Sequence, residues 1–170
     1  MIEFELTEDQ IALREMAHDF AAHEMRPKAA KYDQGHDFPE DVMRKAFEVG
    51  FLTCTVPAEH GGVGLGDLDT AIVSEELAWG CAGMYTTMMA NSLAFTPLLL
   101  FGTEEQKKRL FAPFLKGMAF ASYCLTEREA GSDTSAIKTT ARKDGDGYVI
   151  NGSKCFITNG GVSSLYVVFA

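Results

Sequence analysis

None of the four cysteines (Cys54, Cys81, Cys124, Cys155) forms a C-x-x-C pair, and no two of the four histidines are spaced to face one way on a helix. His18 and His23 come closest, but an i, i+5 spacing splays two imidazoles apart. Neither a zinc site nor a disulfide framework is therefore indicated, and the cysteines read as buried thiols of a reducing compartment. Basic residues are also too few and too scattered for nucleic acid: the formal net charge is −9, and Lys107-Lys-Arg109 and Lys138 with Arg142 and Lys143 form no stripe. No apolar run reaches membrane-spanning length, since Phe95-Thr-Pro-Leu-Leu-Leu-Phe101 is short and carries a proline. The start, Met1-Ile-Glu-Phe-Glu5, is acidic and lacks the apolar stretch of a secretory signal. These absences lead us to expect a soluble, cytoplasmic protein with no metal, nucleic-acid or membrane partner.

What is present suffices for a core, with 170 residues of which 46% are hydrophobic. Thr7-Glu-Asp-Gln10 has the capping-box pattern, in which a hydroxyl and an amide satisfy each other's backbone donors at a helix start. Leu13, Met16, Ala17, Phe20 and Ala21 then recur at helical spacing, and Pro27 is expected to end or kink that helix. A second helix is predicted from Pro39 to Gly50, and a third, capped by Asp67 or Asp69, up to Gly80. Gly83 to Leu100 is apolar on nearly every side, which predicts a helix buried in the middle of a bundle. Thr103-Glu-Glu-Gln106 repeats the capping box and opens a helix ending at Gly117.

After Gly117 the period changes to that of strands. Met118 to Thr126 is β-prone, and Asp144-Gly-Asp-Gly147 and Asn151-Gly152 are hairpin signals. The fold class read from this order is a segregated α+β: an all-α helical bundle over residues 1–117, then an incomplete antiparallel β-domain over 118–170. Its final strand, Leu165 to Ala170, has no successor and leaves an edge.

Three motifs are better explained without chemistry. Gly61-Gly-Val-Gly-Leu-Gly66 lacks the glycine that a dinucleotide fingerprint needs where Asp67 stands, and no strand precedes it, so it reads as a tight turn between helices. Glu75 and Glu76 point about 100° apart on a helix and cannot act on one atom together, which favours a solvated or salt-bridged role. Thr126 and Thr158 differ from these. Each is placed at a strand end, beside Gly131-Ser-Asp133 and Asn159-Gly-Gly161, so neighbouring strands would bring both hydroxyls to one crevice. Spacing alone leaves open whether they serve a ligand or only the turns.

The segment Cys124-Leu-Thr-Glu-Arg-Glu-Ala-Gly-Ser-Asp-Thr-Ser-Ala136 resembles the signature of the acyl-CoA dehydrogenases, and Phe156-Ile-Thr-Asn-Gly-Gly161 resembles their second flavin-contacting strand. Phe4 to Gln10, Pro57 to Gly66, Ser74 to Ala78, Gly102 to Gln106 and Asn151 to Lys154 are similar in order and spacing to the medium-chain type. The resemblance implies FAD as cofactor, an acyl-CoA thioester as substrate in fatty-acid β-oxidation, and dehydrogenation at its α and β carbons with the hydride passing to flavin N5. It further implies a homotetramer, an electron-transferring flavoprotein as acceptor, and a mitochondrial matrix location if the source is eukaryotic. By the same resemblance, cofactor contacts fall on Tyr123, Cys124, Leu125, Thr126, Gly131, Ser132, Phe156, Ile157 and Thr158, with Thr126 near N1 and Thr158 near N5. Ser132, Met88 and Met89 are implied at the substrate.

Three positions depart from the family's pattern. Phe156 stands where a tryptophan is usual, giving a smaller ring without a donor; Arg128 replaces a common proline; and Met89 replaces a glutamate of medium-chain relatives, giving with Met88 a flexible apolar floor. The family's base is a glutamate of a C-terminal helical domain, so no catalytic residue is expected here and the chain alone is expected to be inactive. Competing expectations are a flavin or acyl-CoA binding remnant without turnover and an interaction module using the sheet edge.

Overall fold

The computed structural model describes residues 5–170, so Phe4, which begins one of the matching segments, lies outside the described residues. Helix α1 (Glu8–Phe20) opens as its capping box predicts: Thr7 Oγ1 accepts from the Gln10 N–H at 3.2 Å and Gln10 Oε1 accepts from the Thr7 N–H at 3.1 Å. Pro27 does not end it. The helix widens into a π turn (Ala21–Met25) and continues as α2 (Arg26–Gly35), with the Arg26 N–H reaching back to the Ala21 carbonyl. A proline ring lacks an N–H and collides with the carbonyl four residues earlier, and the wide turn opens the ladder where His23 would meet it.

Helix α3 (Glu40–Glu48) buries Val42, Met43 and Ala46, and a short 3-10 turn (Phe51–Thr53) leads into the glycine loop. That loop is the tight turn expected. A Cβ on Gly62 would lie 2.1 Å from the Val56 carbonyl oxygen, so only glycine lets the chain double back there. Helix α4 (Asp67–Gly80) has Gly66 at its cap and no side-chain cap. Asp67 and Asp69 instead sit in the first turn, where negative charge is favourable, and Asp69 Oδ1 accepts from Gln10 Nε2 at 2.9 Å, tying α4 to α1.

Helix α5 (Ala82–Phe101) runs beside α4, and α6 (Glu104–Lys116) follows its own complete capping box. One core gathers Met25, Met43, Leu77 and Met88 between α1, α3, α4 and α5; a second stacks Phe95, Phe111 and Phe114 edge to face between α5 and α6. Helix α5 is not buried all round: Leu93, Leu100 and Phe101 are 54%, 68% and 85% exposed. This apolar strip should drive self-association of the 170-residue chain, and a clean monomer by light scattering across a concentration series would contradict it.

The strands follow the helices. Strand β1 (Ala121–Cys124) pairs in parallel with β4 (Leu165–Val168), from Ala121 opposite Leu165 to Cys124 opposite Val168. Between them β2 (Thr140–Asp144) and β3 (Gly147–Asn151) form the antiparallel hairpin that Asp144-Gly-Asp-Gly147 predicts, with Gly145 at a φ of 58°. Asn151-Gly152 makes no second hairpin. It closes β3, and Gly152 lies so close to Thr139 that a Cβ would come within 2.3 Å of Oγ1.

Asn91 fastens the two regions. It is completely buried in α5, donates through Nδ2 to the carbonyls of Leu52 at 3.1 Å and Ala119 at 3.0 Å, and accepts through Oδ1 from the Ala121 N–H at 2.7 Å. A polar group in such a place is tolerated only when its hydrogen bonds are made, and here three are. β1 therefore starts at a fixed point on the face of α5.

Candidate functional site

A cleft of about 840 Å³ lies between the α4–α5 face and the end of β1 with the segment beyond β3. Its helical wall includes Tyr85, Met89, Ala90 and Leu93 of α5, joined by Leu65 of the loop before α4; its β wall is Tyr123, Leu125, Thr126, Phe156 and Thr158. Strand alternation places Tyr123 on the cleft side of β1. Tyr123 and Leu125 face the cleft while Cys124 between them turns inward and is buried, where desolvation pushes its thiol pKa up.

Phe156 and Thr158 do not lie on a strand, contrary to expectation. Phe156 and Asn159 adopt left-handed φ values of 57° and 62°, which prevent an extended ladder. The segment is held by specific bonds instead. The Cys155 N–H donates to the Thr126 carbonyl at 3.0 Å, Ser122 Oγ donates to the Thr158 carbonyl at 2.8 Å, and Asn159 Nδ2 donates to the Thr87 carbonyl of α5 at 2.9 Å. Thr126 and Thr158 are thus brought to one cleft, and Phe156 projects with 92% of its surface exposed.

Other expected positions fall elsewhere. Gly131 and Ser132 are exposed on the loop after the Glu127–Ala130 bridge and do not line the cleft; Ile157, half-buried, does not either. Met88 is corrected as a floor residue: one helical step from Met89, it turns about 100° away and is fully buried in the bundle core. Met89 alone of the pair lines the cleft. Of the residues judged structural, Glu76 Oε2 is hydrogen-bonded to His18 Nδ1 at 2.7 Å.

Beneath the β wall lies a clasp that the motifs contained but did not reveal. Lys154 Nζ donates to the Leu125 carbonyl at 2.9 Å and to Glu127 Oε1 at 2.8 Å, and Glu127 also accepts from the N–H groups of Lys138 and Thr139 and from the Thr139 hydroxyl. Both partners are largely shielded, Glu127 at 8% exposure. The Lys154 bond, then those from Thr139 and Lys138, pull the Glu127 pKa down to about 2. A carboxylate lowered in the folded state stabilises it above the ordinary value of 4.5, and that contribution disappears as pH falls through about 2. Glu127→Gln should therefore melt below the wild type at neutral pH, with the gap closing on acidification between those values. A gap constant with pH in thermal melts would show that the charge is not what holds the clasp.

Residues 7–118 match the family model described as acyl-CoA dehydrogenase, N-terminal domain, and residues 122–170 match the acyl-CoA dehydrogenase, middle domain. The chain belongs to the acyl-CoA dehydrogenase family. It is 44% identical over 163 residues to a mitochondrial isobutyryl-CoA dehydrogenase of Bos taurus, covering 96% of this chain and 39% of that protein. It is 38% identical over 169 residues to a probable mitochondrial medium-chain specific acyl-CoA dehydrogenase of Caenorhabditis briggsae, covering 99% of this chain and 41% of that one. Among solved structures, one of butyryl-CoA dehydrogenase from Megasphaera elsdenii superposes with a TM-score of 0.88 at 35% identity, over 99% of this chain and 45% of that chain. A Bacillus anthracis acyl-CoA dehydrogenase complexed with FAD gives 0.89 at 32% identity, over 100% and 30%. A structure of the electron transferring flavoprotein of Acidaminococcus fermentans gives 0.91 at 42% identity, over 99% and 45%. The chain spans about two fifths of the length of the curated relatives it matches.

Among the described residues, no helix is long and apolar enough to cross a membrane. Asp67 is the only carboxylate on the cleft among them.

Proposed function

We propose that these residues form the helical unit (1–117) and the first part of the β unit (118–170) of an FAD-dependent dehydrogenase of acyl-CoA thioesters. The observation that carries this reading is the shared cleft, where a helical wall of mixed apolar and hydroxyl side chains faces two threonines, an exposed phenyl ring and the end of β1. The residues fit a flat, polar-edged ring system. Thr126 and Thr158 offer hydroxyls on a wall fixed by the Ser122, Asn159 and Lys154 bonds, so their donors need not reorganise as charge develops on a ligand. Phe156 offers a face for stacking. When bound, the flavin would supply the two-electron acceptor.

Met89, Ala90 and Leu93 would hold the acyl chain against α5 and exclude water from it. The proton acceptor at the α carbon is proposed to come from the part of the relatives' length that this chain does not span. In the same reading the protein is a homotetramer that passes electrons to an electron-transferring flavoprotein, in the cytoplasm or, in a eukaryote, the mitochondrial matrix.

The test is anaerobic addition of isobutyryl-, butyryl- and octanoyl-CoA to the protein as its gene encodes it, purified with its flavin. Loss of flavin absorbance with at least one thioester is expected; no loss with any of them would overturn the reading. Thr158→Val should weaken FAD binding by about 0.5–1.5 kcal/mol, the net worth of one hydrogen bond. An unchanged dissociation constant and unchanged reduction potential would make Thr158 a turn residue only.

A further inference from the structure

The helical wall of the cleft is not uniformly apolar. Thr55, which lies in the turn before the glycine loop, lines the cleft, yet its Oγ1 is shielded from solvent and is the one such side-chain atom without a hydrogen-bond partner among the described residues. The residue before it, Cys54, holds its Sγ 3.8 Å from Ser92 Oγ, and Ser92 lines the same cleft from α5. Sulfur is a weak partner, so the Ser92 hydroxyl keeps most of its bonding capacity. Of the other α5 hydroxyls on the cleft, Thr86 donates to the Ala82 carbonyl at 2.8 Å and Thr96 to the Ser92 carbonyl at 3.0 Å, while the Tyr85 phenol also lines it.

Buried hydroxyls without partners are rare in folded proteins and call for a reason. A threonine has the means to present its oxygen, because a turn of about 120° to another staggered χ1 moves the hydroxyl into the position the methyl held, the methyl passing to that of Hβ. We propose that Thr55, with Ser92, is a hydrogen-bonding anchor in the acyl cleft, and that the preferred substrates are acyl-CoA thioesters whose chain carries a hydroxyl or carbonyl oxygen remote from the thioester. This rests on the reading of the cleft as an acyl-thioester site. It adds polar bonding positions among the apolar residues Leu65, Met89, Ala90 and Leu93 and so selects among chains that these alone accept equally. A site built to bond a substrate oxygen penalises the analogue that lacks it, because the site's own groups are then left unpaired.

The probes are octanoyl-CoA and a series of hydroxyoctanoyl-CoA isomers with the hydroxyl at successive carbons toward the chain end. Affinity by calorimetry and kcat/KM are measured on the protein as encoded, with FAD bound. At least one isomer is expected to bind more tightly than octanoyl-CoA, by on the order of tenfold. Thr55→Val should bring that ratio to one or below, Ser92→Ala should reduce it, and Thr55→Ser should keep it, which separates loss of the hydroxyl from loss of packing. If octanoyl-CoA binds and reacts but every isomer is weaker, the anchor is refuted while the dehydrogenase reading stands. If neither octanoyl-CoA nor any isomer binds or bleaches the flavin, both fall. A ratio that is the same in wild type and Thr55→Val also refutes the anchor.

Discussion

Asn91→Ala is expected to be among the most damaging single changes in this chain, lowering stability by about 3 kcal/mol or more. The substitution leaves the Leu52 and Ala119 carbonyls and the Ala121 N–H without their partner, and each buried orphan costs about 1–3 kcal/mol. For a chain of this size each kcal/mol moves the melting temperature by roughly 2–4 °C, so a fall of about 6–12 °C is expected in a thermal melt. The effect should reach the cleft, because Ala121 begins the strand that carries Tyr123 and leads to Thr126. Asn91→Asp, which keeps an acceptor for Ala121 but aims a buried carboxylate at the Leu52 and Ala119 carbonyl oxygens, should be at least as damaging at neutral pH. A fall of less than about 2 °C for Asn91→Ala would mean that other groups satisfy all three positions.

Phe95→Ala should be comparably severe, at about 3–5 kcal/mol, for a different reason. Phe95 is fully buried, with its ring centroid 5.2 Å from Phe111 and 4.9 Å from Phe114, both in edge-to-face contact. Removing it opens a void between two helices that cannot close without moving α6, and the neighbours lose both dispersion contacts and favourable ring geometry. A drop in melting temperature of roughly 6–20 °C follows. Phe95→Leu, which fills much of that space, should cost far less; equal losses for both would rule out the cavity as the cause. Asn91 and Phe95 are four residues apart on α5, so their effects should not add in the double variant.

Much of the helical region was legible because its signals are local. Both capping boxes formed with the partners that Thr7 and Thr103 specify, and the hairpin turned where Asp144-Gly-Asp-Gly147 placed it. What escaped depends on contacts distant in sequence. The π turn before Pro27 is one answer among several to a missing N–H, and nothing in the local pattern chooses it over a break. Phe156 to Thr158 has β-forming residues, but the Cys155 and Ser122 bonds to a segment some thirty residues away decide its path. Which face of α5 stays open, that of Leu93 and Leu100, is not readable because an apolar helix does not announce which face its neighbours cover. Two signals could have been read. Asn91 is a lone amide in a run of small and apolar residues, and Glu127 and Lys154 are opposite charges inside two of the segments that carry the family resemblance, 124–136 and 151–154.

The parallel pairing of β1 with β4 makes everything from Leu125 to Ser164 a single excursion that leaves one strand and rejoins its neighbour. The β2–β3 hairpin is the outermost part of that excursion, solvent-exposed on both faces, and its tip at Gly145-Asp146 does not line the cleft. A peptide tag or a small reporter domain spliced between those two residues can be carried without disturbing Thr126 or Thr158. The same insertion at Asn159-Gly160 would sever the tether to Thr87 and unfasten the wall it serves.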